Sequence, residues 1–352
     1  MKASSRSTRP LATAIACTLL AFLLPALHAQ TTATTTPVGF ITRTIPAAVD
    51  AATPSNTTVS IPLYATADYV STVATIDSPT QFTLTGAAWT VGQYASTAAP
   101  RLARVKASTT AAHVGVFFLV SANTTNQLTV TLPAGVADVN TVLSVGDSCE
   151  VVPANTLGSV FGTVANPPVL TGGATPDVAD NVYVWSGTGW DPYFWNGTIW
   201  KKTGGIDRSG TVLYPDEAVF VIRRDTASAA TLTLMGTVPS TSEQTAIAGS
   251  GSTFLSNRFP VDMTLGTVPT PTMPALNLQN LPGWVGGATP DVADSVYIWS
   301  GTGWDPYFWT GTIWKKTGNL DRSNTVITAG TGVFVTHAGA ALTLTQALPY
   351  TP

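Results

Sequence analysis

The chain has 352 residues, with 16 Lys plus Arg, 19 Asp plus Glu, three His and two Cys. Lys2, Arg6 and Arg9 sit at its start, so the remainder holds 13 cations against 19 acids, a net charge near −6. That excludes a basic nucleic-acid-binding surface, and Cys149, the one cysteine beyond the leader, has no partner for an internal disulfide.

The basic start runs into LATAIACTLLAFLLPAL from Leu11 and then into small residues near Ala29, the layout of a secretory signal peptide. Residues 1–29 are read as that signal, leaving Gln30 first. Thr13, Thr18 and Pro25 interrupt the apolar run, which argues against a retained membrane anchor. A secreted or cell-envelope location is expected.

Residues 30–145 read as an N-terminal, sandwich-like β-domain. VGFITRTI from Val38, TTVSIPLY from Thr57, QFTLTGAAWT from Gln81, HVGVFFLVS from His113 and QLTVTLPAG from Gln127 alternate apolar residues with Thr or Ser, as half-buried antiparallel strands do. Abundant Thr, Ser, Val and Gly and the lack of a long helical period make the whole chain all-β.

From about residue 146 a duplication dominates. Gly172 to Gly204 recurs 114 positions later as Gly286 to Gly318 with three of 33 residues changed, and the two copies hold eight of the ten tryptophans. Around this core TLGSV at Thr156 matches TLGTV at Thr264, Asp207-Arg208-Ser209 matches Asp321-Arg322-Ser323, and VFV at Val219 matches VFV at Val333. Two tandem antiparallel units follow, residues 146–250 and 251–352, joined by the polar stretch PSTSEQTAIAGSGS from Pro239. They form either two similar β-domains or two halves of one larger one.

Within a copy, tryptophans every five residues and the turn pieces SGTG and NG mark a β-meander. SGTG sets Trp185 opposite Trp190. For the second turn, Thr310 in place of Asn196 resists the positive φ of a two-residue type I′ loop, which favours a three-residue loop with Trp195 and Trp309 at its tips. In that register Tyr183, Trp185, Trp190, Phe194 and Trp200 share one face, and Val184, Asp191, Tyr193, Ile199 and Lys201 the other. A one-residue slip exchanges the faces.

The order of TPVGFITRTIP at Thr36, VGDSCEVVPANTLGSVFG at Val145, the YFW…W pair with its VFV strand, and FLSNRFPVDMTL at Phe254 resembles a family of uncharacterised exported β-proteins, multi-copy in Verrucomicrobia-type bacteria. The resemblance covers most of the chain beyond the signal. It implies a secreted or envelope location and brings no chemistry with it.

No catalytic residues, metal ligands or cofactors are expected. His113 and His337 lack carboxylates or thiols at ligand spacing, and Cys149 sits beside Glu150, the wrong sign to activate a thiol. Asp177, Asp180 and Asp191 recur as Asp291, Asp294 and Asp305. Turn capping explains the first two and an ion pair with Lys201 the third; calcium binding is a further reading without the ordered loop spacing. Tyr193, Trp195, Tyr307 and Trp309 are the candidate ligand-binding residues, since aromatic faces at rigid tips suit sugar rings. Against that, aromatic cross-strand pairs are ordinary sheet stabilisers. The preferred reading is a secreted, non-enzymatic cell-surface or matrix protein with a structural or adhesive role, whose partners are envelope polysaccharide or other surface proteins. A polysaccharide-binding protein is the second reading, and a glycoside hydrolase built on the Asp residues the third.

Overall fold

The structure, a computed structural model, describes residues 37–50, 52–133, 135–266, 273–318 and 320–351. The expected signal segment lies outside them. In chain order the elements are β1 (Val38–Ile45), β2 (Ser55–Val59), β3 (Tyr69–Ser78), β4 (Gln81–Leu84), β5 (Arg101–Ala107), β6 (Phe117–Asn123), β7 (Gln127–Thr131), β8 (Ser148–Pro153) and the helix α1 (Leu157–Phe161). Then come β9 (Asn181–Trp185), β10 (Trp190–Trp195), β11 (Trp200–Lys201), β12 (Val219–Arg223), β13 (Ala230–Thr237), β14 (Glu243–Ile247), β15 (Gly251–Ser256) and β16 (Met263–Thr264). The chain closes with β17 (Ser295–Trp299), β18 (Trp304–Trp309), β19 (Trp314–Lys315), β20 (Val326–Ile327), β21 (Gly332–His337) and β22 (Leu342–Gln346). The protein is all-β and built on repeated antiparallel units.

Each repeat is a five-stranded sheet, in the order β11-β10-β9-β12-β2 for the first and β19-β18-β17-β21-β15 for the second. Behind each sheet lies a two-stranded ladder, β1-β13 in the first repeat and β14-β22 in the second. Strands β1 and β2 therefore do for the first repeat what β14 and β15 do for the second. This corrects two boundaries. VGFITRTI and TTVS pair with β13 and β12 of the first repeat rather than with an N-terminal domain. The stretch read as a polar linker contains β14, whose Glu243, Gln244 and Thr245 are buried against β22 and its surroundings. Polarity misled there because the partners are distant in sequence: Glu243 pairs with Arg104 and Arg258, and Gln244 Nε2 donates to the Ala112 and Val114 carbonyls.

Between β2 and α1 the chain makes an excursion into a closed barrel, β3-β4-β7-β6-β5-β8. It is a barrel and not a sandwich, and it is inserted within the first repeat. Phe82, Leu84, Phe118, Leu128, Cys149 and Val151 fill its interior, and closure leaves no free edge to pair with another chain. From Pro37 onward the chain forms one compact unit.

The wider duplication holds at the level of hydrogen bonds. Gly158 N donates to Ser209 O at 2.8 Å and Gly266 N to Ser323 O at 2.9 Å, while Arg208 and Arg322 donate from their backbone N to Trp200 O and Trp314 O. A Thr156–Ser159 capping box starts α1.

Trp185 does pair with Trp190, and Trp299 with Trp304. The second turn differs from expectation. Trp195 pairs with Trp200 and Trp309 with Trp314, with Asn196 N donating to Ile199 O at 3.1 Å and Thr310 N to Ile313 O at 3.0 Å. Only the following glycine takes positive φ, 100° at Gly197 and 96° at Gly311, so a β-branched Thr310 is no obstacle. Asn196 Oδ1 accepts from Ile199 N at 2.9 Å and Thr310 Oγ1 from Ile313 N at 3.1 Å, so either side chain closes the turn from the same place. The longer loop moves Trp200 to the face of Val182, Val184, Tyr193 and Trp195.

Candidate functional site

The four tip aromatics are interior or nearly so. Tyr193, Trp195 and Tyr307 are 8%, 6% and 8% exposed, and Trp309 is half-buried and packed on the second repeat's core. Trp195 lies 6.0 Å from Trp200 and Trp309 5.9 Å from Trp314, ring centre to ring centre. These residues hold each sheet to its backing ladder and offer no sugar platform. The expectation failed because the face carrying Val182, Val184 and Tyr193, read as the less apolar one, is the face that packs on the ladder, and the longer second turn adds Trp200 to it.

The opposite sheet faces meet each other. Trp185 packs edge-on against Phe334 at 5.0 Å and Trp299 edge-on against Phe220 at 5.1 Å, while Phe220 stacks on Trp304 at 5.7 Å and Phe334 lies 6.2 Å from Trp190. Trp185 Nε1 donates to Ser252 O at 3.0 Å, and Trp299 Nε1 to Asn56 O at 2.9 Å. Ser256 N donates to Asp216 O and Ser60 N to Gly330 O, both at 2.9 Å. Every one of these contacts is one member of a reciprocal pair, which is the signature of a two-fold, isologous interface, formed here within one chain. At its centre a Cβ on Gly332 would stand 2.1 Å from Ala218 Cβ, so glycine is required where its counterpart is alanine.

Four of the six duplicated acids, Asp180, Asp191, Asp294 and Asp305, are engaged by neighbouring side chains. Asp180 accepts from Arg223 Nη1 at 2.9 Å and from the backbone of Thr171 and Arg224. Asp191 and Asp305 pair with Lys202 and Lys316, one position beyond the lysine expected, and Lys201 instead lies over the Phe194 ring at 5.1 Å. Asp177 is exposed. No group of three His, Cys, Asp or Glu among the described residues is placed to hold a metal. Burial pushes the Cys149 thiol up to about 12, so it stays protonated and inert. His113 faces Asp147 at 3.2 Å.

Where barrel and repeats meet, a buried charge network closes. Arg104 bonds Glu150 at 2.7 Å and also Glu243; Arg258 pairs with the same Glu243, and Tyr64 donates to it at 2.8 Å. Arg104 covers the Tyr64 ring at 4.8 Å. Burial raises the Tyr64 hydroxyl, so it remains a donor. Beside this network, a cleft of about 640 Å³ lies between barrel, first repeat and second repeat, with Asp216 and Glu217 in its wall. Burial raises both carboxyls; Arg258 partly offsets the effect at Asp216, whereas Asp216 adds to it at Glu217. Sequence reasoning passed over these two acids. Aligning the repeats would have shown them, because PDEAVFV in the first stands against AGTGVFV in the second.

No protein-family model, curated protein or solved structure matches the chain. No helix among the described residues is long and apolar enough to cross a membrane.

Proposed function

We propose that the chain is a secreted, non-enzymatic protein of the cell surface or extracellular matrix, with a structural or adhesive role. One observation supports this above the others: the aromatic motif that dominates the sequence is spent on docking one repeat against the other, through reciprocal Trp185–Ser252 and Trp299–Asn56 bonds. A motif consumed in this way serves rigidity and assembly. The outer side of the β1-β13 ladder adds a surface suited to adhesion, with Phe40 and Met235, directly paired, 72% and 76% exposed among threonines. The basic and apolar N-terminal segment supports export. Sugar binding through Tyr193, Trp195, Tyr307 and Trp309 loses its basis with their burial, and the duplicated Asp residues of the hydrolase reading are engaged in ion pairs and turns.

Antibody labelling of intact cells from the native source, with fractionation of the envelope, tests the reading. Surface labelling and retention in the envelope or matrix fraction are expected; recovery in the cytosol overturns it.

A further inference from the structure

Asp216 and Glu217 occupy, in the first repeat, the places of Gly330 and Thr331 in the second. The equivalence rests on Asp216 O and Gly330 O accepting from Ser256 N and Ser60 N across the two-fold, each at 2.9 Å. The backbone task of the segment is therefore met without any acid, and the two carboxylates are additional to what the fold needs. They stand only on the side that faces the barrel, where the cleft opens.

The cleft walls come from three parts of the chain: Phe117 and Leu119 of the barrel, Trp185 and Tyr214 of the first repeat, Ile247 and Phe254 of the second. Tyr214 lies nearly parallel to Phe117, 6.1 Å apart with 26° between planes. In the neighbouring network the three cations Arg104, Arg258 and Lys106 face the two acids Glu150 and Glu243, and Asp216 offsets the third cation through Arg258, which leaves Glu217 as the acid without a counter-charge. Asp216 feels the attraction of Arg258 and a bond from its own backbone N–H against the repulsion of Glu243, whereas Glu217 feels only the repulsion of Asp216, and no side-chain hydrogen bond or ion pair among the described residues engages its carboxyl. Buried charges are otherwise paired or neutralised. A neutral sugar would offer no counter-charge to Glu217 once it ionises, and a bare metal ion would find two carboxylates among mainly apolar walls, too few hard ligands to replace its water.

We infer that this cleft binds an organic cation, a primary ammonium on an apolar stem, with Glu217 as the anchoring acceptor and the stem against the aromatic wall formed by Trp185, Tyr214 and Phe117. The ammonium supplies the missing counter-charge, and the ring faces favour both cation and methylenes.

Isothermal titration of the full chain with 1,5-diaminopentane tests this, with 1,5-pentanediol as the uncharged analogue and calcium chloride as the metal. Binding of the diamine is expected to strengthen as pH rises and Glu217 loses its proton. Glu217→Gln, and Glu217→Thr, which installs the residue of the second repeat, should each weaken binding at least about tenfold while keeping the parent's tryptophan fluorescence and a single cooperative melt no less stable than the parent's. Equal binding by both variants, equal binding of the diol, tighter binding of calcium, or no heat at millimolar diamine would each overturn the proposal.

Discussion

His337 stands in the second repeat where Arg223 stands in the first, and each is bonded to the equivalent aspartate. Arg223 Nη1 donates to Asp180 Oδ2 at 2.9 Å, and His337 Nδ1 lies 2.7 Å from Asp294 Oδ2. His337 Nε2 lies 2.7 Å from the Ala340 carbonyl. Both ring nitrogens thus lie within hydrogen-bonding distance of an oxygen.

The first prediction follows from that exchange. His337→Ala leaves the buried Asp294 without the ring that faces it, with only the backbone donors of Val285 and Ala338, and should cost about 1–3 kcal/mol. His337→Arg, copying the first repeat, should retain most of that stability. Urea denaturation read by tryptophan fluorescence distinguishes the two; equal losses would show that the pair is incidental.

The second concerns the intrachain two-fold. Trp185→Phe and Trp299→Phe each remove one indole donor and leave one backbone carbonyl, Ser252 O or Asn56 O, without it. Each should cost about 1–3 kcal/mol, and the two costs should agree because the contacts are equivalent. A large loss at one site and none at the other, in thermal melts, would deny the symmetry.

Third, Trp195→Ala should destabilise by about 3–5 kcal/mol, with Trp309→Ala costing less because its ring is only half-buried. Differential scanning calorimetry gives the comparison. Unchanged melting in both would place these rings outside the core.

The fourth is a pH dependence. Burial raises the Asp216 and Glu217 carboxyls above their unfolded values, so the folded state holds protons that the unfolded state releases. The stability from this source is present below the unfolded values and is lost as pH rises through the raised ones. Glu217→Gln should therefore be more stable than the parent at neutral to alkaline pH and show a flatter profile there. Urea midpoints across pH 4 to 9 (about the span of the reference and raised carboxyl values) measure it, and parallel profiles for parent and variant would refute the assignment.

Much of the fold was legible locally. VGFITRTI coincides with β1, QFTL with β4 and QLTVT with β7, because alternation of apolar and hydroxyl residues records a half-buried strand. Two barrel strands were missed. YVSTVATIDS of β3 is mostly Thr, Ser and half-exposed positions, and RLARVKA of β5 hides Arg104, whose charge is cancelled only by Glu150 and Glu243 from distant strands. The repeat alignment exposes the acids of the cleft, but their setting was illegible for a related reason. Nothing next to Asp216 and Glu217 in sequence reports that the barrel, itself an insertion, closes over one end of the two-fold and not the other.

The sequence by itself determined the all-β class, the duplication, the first hairpin with Trp185 opposite Trp190, and the inert setting of Cys149, since each follows from side-chain alternation, self-similarity or immediate neighbours. Tertiary structure alone decided the rest. It paired β1 with β13, Ile45 beside Ala230, set the repeats face to face, and chose which tryptophans join the repeats and which fill each core. The physical reason is that strand pairing is fixed by burial summed over non-local partners. A turn one residue longer than the local code suggests is accepted when it brings Trp195 and Trp200 together inside.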